Sequence, residues 1–278
     1  MTAPPELPGV THEWLDAAGL RMHVALAGPA DGPPVLLVHG WPQHWWSWRH
    51  VIGPLAATHR VIAPDLRGHG WTDRPSAGYE KDRLAQDLLA LLDALGLERV
   101  TWIGHDWGAY CGFLAALEAP KRIERMLTMS IPHPWSGRDP RLLAVFLAYQ
   151  GPLSLPLLGL RVADPLLRRL LQAGRGRDRL SPEDVELFAS HVPAATTVAM
   201  YRTFLTRDLP AALRGRFAGR RLQVPTRLLA GEHDLVTTGV GPGPVPHQPQ
   251  LHVERVPAVA HWIPEQRPEL IVQWAQNA

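Results

Sequence analysis

Residues Arg99–Ala109, RVTWIGHDWGA, constrain what this chain can fold into more than any other stretch. Val100, Trp102 and Ile103 form a short apolar run rich in strand formers, and Gly104 ends it. G-H-D-W-G occupies residues 104–108, and apolar residues then recur at helical spacing through Tyr110, Phe113, Leu114 and Leu117. The pattern predicts a buried strand, a turn crowded enough to need small residues on both sides, and a helix leaving it.

The central residue of that turn is Asp106. Strand, sharp turn and helix form the nucleophile-elbow layout, whose central residue is usually serine. A serine must lose a proton before it can attack, whereas a carboxylate of ordinary pKa, ~4, is ionised at neutral pH. A carboxylate here suits attack at a saturated carbon bearing a leaving group, which leaves an alkyl ester on the enzyme. A helix-capping Asp in an ordinary turn would look the same, so G-H-D-W-G alone leaves both readings open.

The rest of the chain supplies the frame. His12–Asp16 and Arg21–Ala27 alternate around Ala18-Gly19, predicting an opening hairpin. Val35–Val38 and Val61–Ala63 are continuous apolar runs suited to strands covered on both faces. Trp45–Ala57 is expected to be helical, as is the segment where Leu84, Leu88, Leu91, Leu92 and Leu95 recur before Gly96. Arg125–Ile131 is a further strand. Strands alternating with helices predict an α/β fold with a mostly parallel central sheet flanked by helices.

After Pro132-His133-Pro134 the rhythm changes. No strand-period run occurs from Trp135 to about Arg216, which predicts a helical insertion lying over the sheet as a cap. The expected organisation is a core of residues 1–131 and 217–278 with a cap over 132–216. Strands return at Thr226–Ala230 and Leu251–Val256, with a loop over Thr237–Pro249 and a closing helix from about Glu265.

Composition excludes several classes. The most apolar stretch, Leu142–Leu160, is interrupted by Gln150, Gly151, Pro152 and Pro156, so no membrane span is expected. The net charge of +2 implies no polyanionic partner, and the arginine clusters Arg175–Arg179 and Arg214–Arg221 read as solvated loops. The one cysteine, Cys111, can form no internal disulfide and reads as a small buried filler. The start, MTAPPELPGV, lacks signal-peptide regions, so a cytoplasmic location is expected. Monomer and homodimer both stay open.

An Asp nucleophile needs a base for the second step, an orienter for that base and donors for an oxyanion. Thr226–Ala230 runs into Gly231-Glu232-His233-Asp234, which puts Asp234 on a loop beyond a strand end, with Glu232 as the rival carboxylate. The last strand leads to Ala260-His261-Trp262, which places His261 on the following loop. Pro42 of His39-Gly40-Trp41-Pro42 has no N–H, so the expected oxyanion donors are the main-chain N–H groups of Trp41 and Trp107. His39 reads as a structural residue of that turn. Tyr149 and Tyr201 are the only tyrosines in the insertion, and a neutral phenol can donate to a departing alkoxide.

HGWP, DLRGHGWTDRP, GHDWG, GEHD and AHW, in that order and over nearly the whole chain, resemble the epoxide-hydrolase branch of the α/β-hydrolase superfamily. Tyr149-Gln150 ahead of Leu155-Pro156 and Tyr201-Arg202 are similar to that family's two cap-tyrosine segments. The resemblance implies Asp106 as nucleophile, His261 as base, Asp234 as its partner, and Tyr149 and Tyr201 as the electrophilic pair. A shifted register would put Val145 in place of Tyr149. Ala260 departs from the glycine often found before the histidine. The resemblance implies a small-molecule epoxide as substrate, a vicinal diol as product, and neither cofactor nor metal. The closest rival is haloalkane dehalogenase, which shares the Asp, the His and the elbow Trp but wants a second side-chain N–H donor for halide. A non-catalytic ligand-binding protein of the same fold is the reading from a different class.

Overall fold

A computed structural model of the chain describes residues 2–136, 140–172, 180–237 and 239–277. The cluster Arg175–Arg179 lies outside them. Among the described residues nine strands form one sheet, in the order β1-β2-β4-β3-β5-β6-β7-β9-β8. β1 (Val10–Ala17) and β2 (Leu20–Ala27) make the expected hairpin. Ala18 and Gly19 take the positive φ values of 53° and 84° that so tight a turn requires.

The central strands β3 (Pro34–Val38), β4 (Arg60–Pro64), β5 (Val100–His105), β6 (Ile123–Met129) and β7 (Thr226–Gly231) run parallel, as does β9 (Gln248–Val256) beside β7. β5 is buried along its whole length, as expected for a strand covered on both faces. Two hydrophobic layers sandwich the sheet. One contains α2 (Lys81–Ala94) and α3 (Trp107–Glu118) and continues into the inserted helices. The other contains α1 (Arg49–Ala56) and the C-terminal helices.

Between β6 and β7 the described residues carry five helices and no strand: α4 (Pro140–Ser154), α5 (Pro156–Leu171), α6 (Pro182–Ser190), α7 (Ala194–Thr203) and α8 (Leu209–Leu213). A π-helical turn, Phe204–Asp208, joins α7 to α8.

Four expectations need revision. Trp45–Trp48 is a 3-10 turn, and the α-helix starts only at Arg49. The loop expected over Thr237–Pro249 contains β8 (Gly243–Val245), which pairs antiparallel with β9, and β9 itself begins at Gln248. Proline is tolerated there because β8 lies at the sheet edge. The closing helix is two helices, α9 (Ile263–Gln266) and α10 (Pro268–Gln276), broken where Arg267 adopts φ −141° before Pro268. Arg214–Arg221 is not simply solvated: Arg216 makes a two-pronged ion pair with Asp82, and Arg220 donates to the Leu117 carbonyl at 2.8 Å.

Candidate active site

Asp106 sits between β5 and α3 with φ 48° and ψ −121°, a backbone strained for any residue but glycine. The surrounding glycines permit it. A Cβ on Gly108 would strike the carbonyl oxygens of Val38 and His39, and one on Gly104 would lie 2.7 Å from the Ala109 Cα. A Cβ on Gly40 would come within 2.5 Å of Asp106 Oδ1. The backbone of the HGWP loop can therefore approach the carboxylate. The Trp41 N–H donates to Asp106 Oδ1 at 3.1 Å, and the Trp107 N–H also donates to the carboxylate.

Asp106 is buried, and burial pushes its pKa up to about 6 against the opposing pull of His261 and the two N–H donors. That revises the expectation of an ordinary carboxylate. The group still ionises near neutrality, but desolvation makes its charge expensive and the oxygen reactive.

His261, on the loop after β9, points Nε2 toward Asp106 Oδ2 at 3.8 Å and Nδ1 toward Asp234 Oδ1 at 3.2 Å. Asp234 follows β7 and accepts from the Val236 N–H at 2.9 Å and the Thr237 hydroxyl at 3.1 Å. Burial lowers the His261 pKa, but the charge and hydrogen bond of Asp234, with Asp106, outweigh it and leave the pKa raised. Glu232 is exposed and accepts instead from the Ala258 N–H at 2.8 Å. The two carboxylates of GEHD are thereby separated: Asp234 meets the histidine and Glu232 ties down a turn.

The inserted helices bring both tyrosines to the same place. Tyr149 on α4 and Tyr201 on α7 meet edge to face, 5.9 Å between centroids, and the Tyr201 ring lies 5.1 Å from that of Trp41. Burial, reinforced by the Asp106 charge, raises both phenol pKa values, so both stay protonated. The Val145 side chain lies outside the described residues.

Several residues that sequence reasoning left unassigned hold this geometry. His105 Nε2–H and the Ser130 hydroxyl both donate to the His261 carbonyl, at 2.9 and 2.6 Å. Lys81, fully buried, lies 4.4 Å from the Trp107 ring centroid and donates to the carbonyls of Tyr79 and Met200 at 3.1 and 3.4 Å. The one available sequence signal is that Lys81 and Lys121 are the only lysines in an arginine-rich chain. Asp65, at the end of β4, accepts from His23 at 2.7 Å and from the Trp45 and Trp71 N–H groups at 2.8 and 3.0 Å, tying the HGWP and DLRGHGW loops together. His39 is structural, as expected. Its Nε2 accepts from the Leu66 N–H at 2.9 Å and its Nδ1–H donates to the Gly40 carbonyl at 3.0 Å. Cys111 is buried and its thiol pKa is raised by burial. Among the described residues no group of three or more His, Cys, Asp and Glu could hold a metal ion.

A family of proteins with the alpha/beta hydrolase fold matches residues 33–268. Epoxide hydrolase 3 of Xenopus tropicalis is 32% identical over 91% of this chain and 72% of its own length. The chain belongs to the α/β-hydrolase family, in its epoxide-hydrolase branch. The AB hydrolase superfamily protein YfhM of Bacillus subtilis is 30% identical over 98% of this chain and the whole of its own length. Among solved structures, epoxide hydrolase CorEH without ligand superposes with a TM-score of 0.81 at 27% identity, covering 96% of this chain and 98% of that one. Epoxide hydrolase VrEH1 from Vigna radiata gives a TM-score of 0.81 at 27% identity over 97% of both chains.

Halide release in this α/β-hydrolase would call for an indole N–H free to donate. Trp41 Nε1 is committed to the Thr197 hydroxyl at 2.9 Å. Among the described residues no helix is long and apolar enough to cross a membrane.

Proposed function

We propose that this chain hydrolyses epoxides to vicinal diols through a covalent ester on Asp106. One observation carries the reading: a buried carboxylate at the elbow is faced by two phenols that burial keeps protonated. Tyr149 and Tyr201 bind the epoxide oxygen. Asp106 Oδ2 attacks a ring carbon, the C–O bond breaks, and the oxygen leaves with a phenolic proton. His261, oriented by Asp234, then takes a proton from water, and the hydroxide adds to the Asp106 carbonyl carbon. The negative charge develops on Oδ1, to which the Trp41 N–H already donates, with the Trp107 N–H donating to the same carboxylate. Collapse expels the diol alkoxide, which is protonated by the His261 imidazolium, and the carboxylic acid left on Asp106 returns its proton to the tyrosinate formed on ring opening, so that carboxylate and phenol are both regenerated.

In this reading residues 1–131 and 217–278 form the catalytic core and residues 132–216 the cap that supplies the phenols. The committed Trp41 indole counts against dehalogenation, and the single cysteine favours a cytoplasmic setting. A single turnover in heavy-oxygen water, with enzyme in excess, tests the mechanism. The first diol should carry ordinary oxygen, with the label on the Asp106 peptide. Heavy oxygen in that diol and an unlabelled Asp106 would mean direct hydration, with Asp106 acting only as a base.

A further inference from the structure

A half-enclosed chamber with a cavity volume of about 70 Å³, open to solvent at its mouth, lies beside Tyr149 and Trp107. Because Tyr149 lines it, an epoxide whose oxygen is held by that phenol has this space for its substituent. Phe146 and Phe204 contribute to its apolar wall, and among the described residues no charged side chain lines it. Among the polar side chains that do, Gln150 and His133 have only 1% and 9% of their surfaces exposed. The Gln150 amide nitrogen donates to the Tyr149 hydroxyl at 2.7 Å, while its carbonyl oxygen has no partner among the described residues. His133 Nδ1 likewise has none. Burial pushes the His133 pKa down to about 4, so the ring is neutral near pH 7 and offers one donor and one acceptor. Buried polar groups without partners destabilise a fold, and a chamber serving only hydrocarbon would be better lined with apolar side chains.

We propose that this chamber selects epoxides whose substituent ends in an uncharged hydroxyl, recognised by His133 and Gln150. The inference rests on the epoxide-hydrolase reading above and adds the substrate class. A hydroxyl both donates and accepts. It therefore suits Gln150 in either amide orientation and His133 in either tautomer. A carboxylate is excluded by the same chamber, because its charge would be buried with no cation lining the wall. A methyl in the same place leaves both polar groups unsatisfied, and sites built to bond a hydroxyl discriminate against analogues that lack it.

The test uses terminal epoxides with two to five methylenes that end in methyl, hydroxyl or carboxylate, compared by kcat/KM. At the best-fitting length the hydroxyl compound should exceed the methyl compound by about tenfold, with the carboxylate slowest. His133→Phe should bring the hydroxyl-to-methyl ratio to near one, and His133→Asn should restore part of the preference. Gln150→Met provides a second variant should His133→Phe not fold. Taking the ratio cancels any disturbance of Tyr149 that both substrates share. A methyl series turned over as fast as the hydroxyl series at every length, or a ratio unmoved by both variants, would overturn the inference and leave the epoxide-hydrolase reading intact. Failure of every epoxide, with no adduct on Asp106, would instead remove that reading and this inference with it.

Discussion

Replacing Asp106 by Asn should abolish turnover and make the protein more stable, by an amount that depends on pH. Folding moves this carboxyl from an ordinary pKa of 3.8 to about 6, chiefly by burial. At 1.36 kcal/mol per tenfold change in the ionisation constant, holding the ionised form in the folded state costs about 3 kcal/mol. The sign follows from the raised value. Above pH 6 the group is ionised in both states and the cost is complete; below about pH 4 it is protonated in both and the cost disappears. The stability gained by Asp106→Asn should therefore be about 3 kcal/mol at pH 8, about half that at pH 5, and small at pH 4. The side chains are close in size, and the backbone strain at φ 48° is common to both proteins. The Asn oxygen can accept from Trp41 as Oδ1 does now. Paired thermal melts from pH 5 to 8 would read the effect, with a difference of roughly 6 °C at pH 8 for a domain of this size. A difference that did not grow with pH would refute the reasoning, since a packing effect has no reason to titrate near 6.

Four further outcomes follow from the site. Tyr149→Phe and Tyr201→Phe should each slow ester formation on the order of a hundredfold in rapid-mixing experiments, and the double change should nearly stop it. His261→Gln should accumulate the Asp106 ester, visible as added intact-protein mass after incubation with an epoxide. Asp234→Asn should slow ester hydrolysis by ~10³-fold, whereas Glu232→Gln, on an exposed turn, should leave it close to wild type; the reverse ranking would reassign the partner of His261. Ester formation should rise with pH through about 6 as Asp106 ionises and then level off. Hydrolysis should fall with acid as His261 protonates, and no alkaline loss should appear below pH 10, because both phenol pKa values are raised.

What could be read from the sequence was whatever depends on neighbours along the chain. The elbow was legible because its glycines, its strand run and its helical spacing lie within twenty residues. The order of Asp106, Asp234 and His261 was legible because strand ends are. β8 was hidden because Gly243 and Pro244 argue against a strand, and only pairing with β9 at the sheet edge overrides that local preference. Lys81, Asp208 and Trp107 are far apart in sequence. Asp208 accepts from the Lys81 N–H at 3.3 Å, while the lysine Nζ lies against the Trp107 ring, a cluster that no periodicity announces. The choice between Asp234 and Glu232 turned on which way two carboxylates two residues apart point out of one turn, which spacing does not encode.

The roles within the site come from how differently burial acts on its members. Desolvation penalises the charged form of every group. For Asp106 nothing nearby compensates fully, so its pKa rises toward neutrality and the anion is left reactive. The same penalty acts on Tyr149 and Tyr201, adds to the Asp106 charge, and fixes them as proton donors. For His261 it is outweighed, because Asp234 is held by Val236 and Thr237 with its charge directed at Nδ1. A nucleophile, two acids and a base thus arise in one buried site, separated by their local partners. It follows that the phenols depend on Asp106 as well as on their own surroundings. Once Asp106 is esterified its charge is gone, and the repulsion that held the phenol protons is relieved at the stage when the new alkoxide has already taken one.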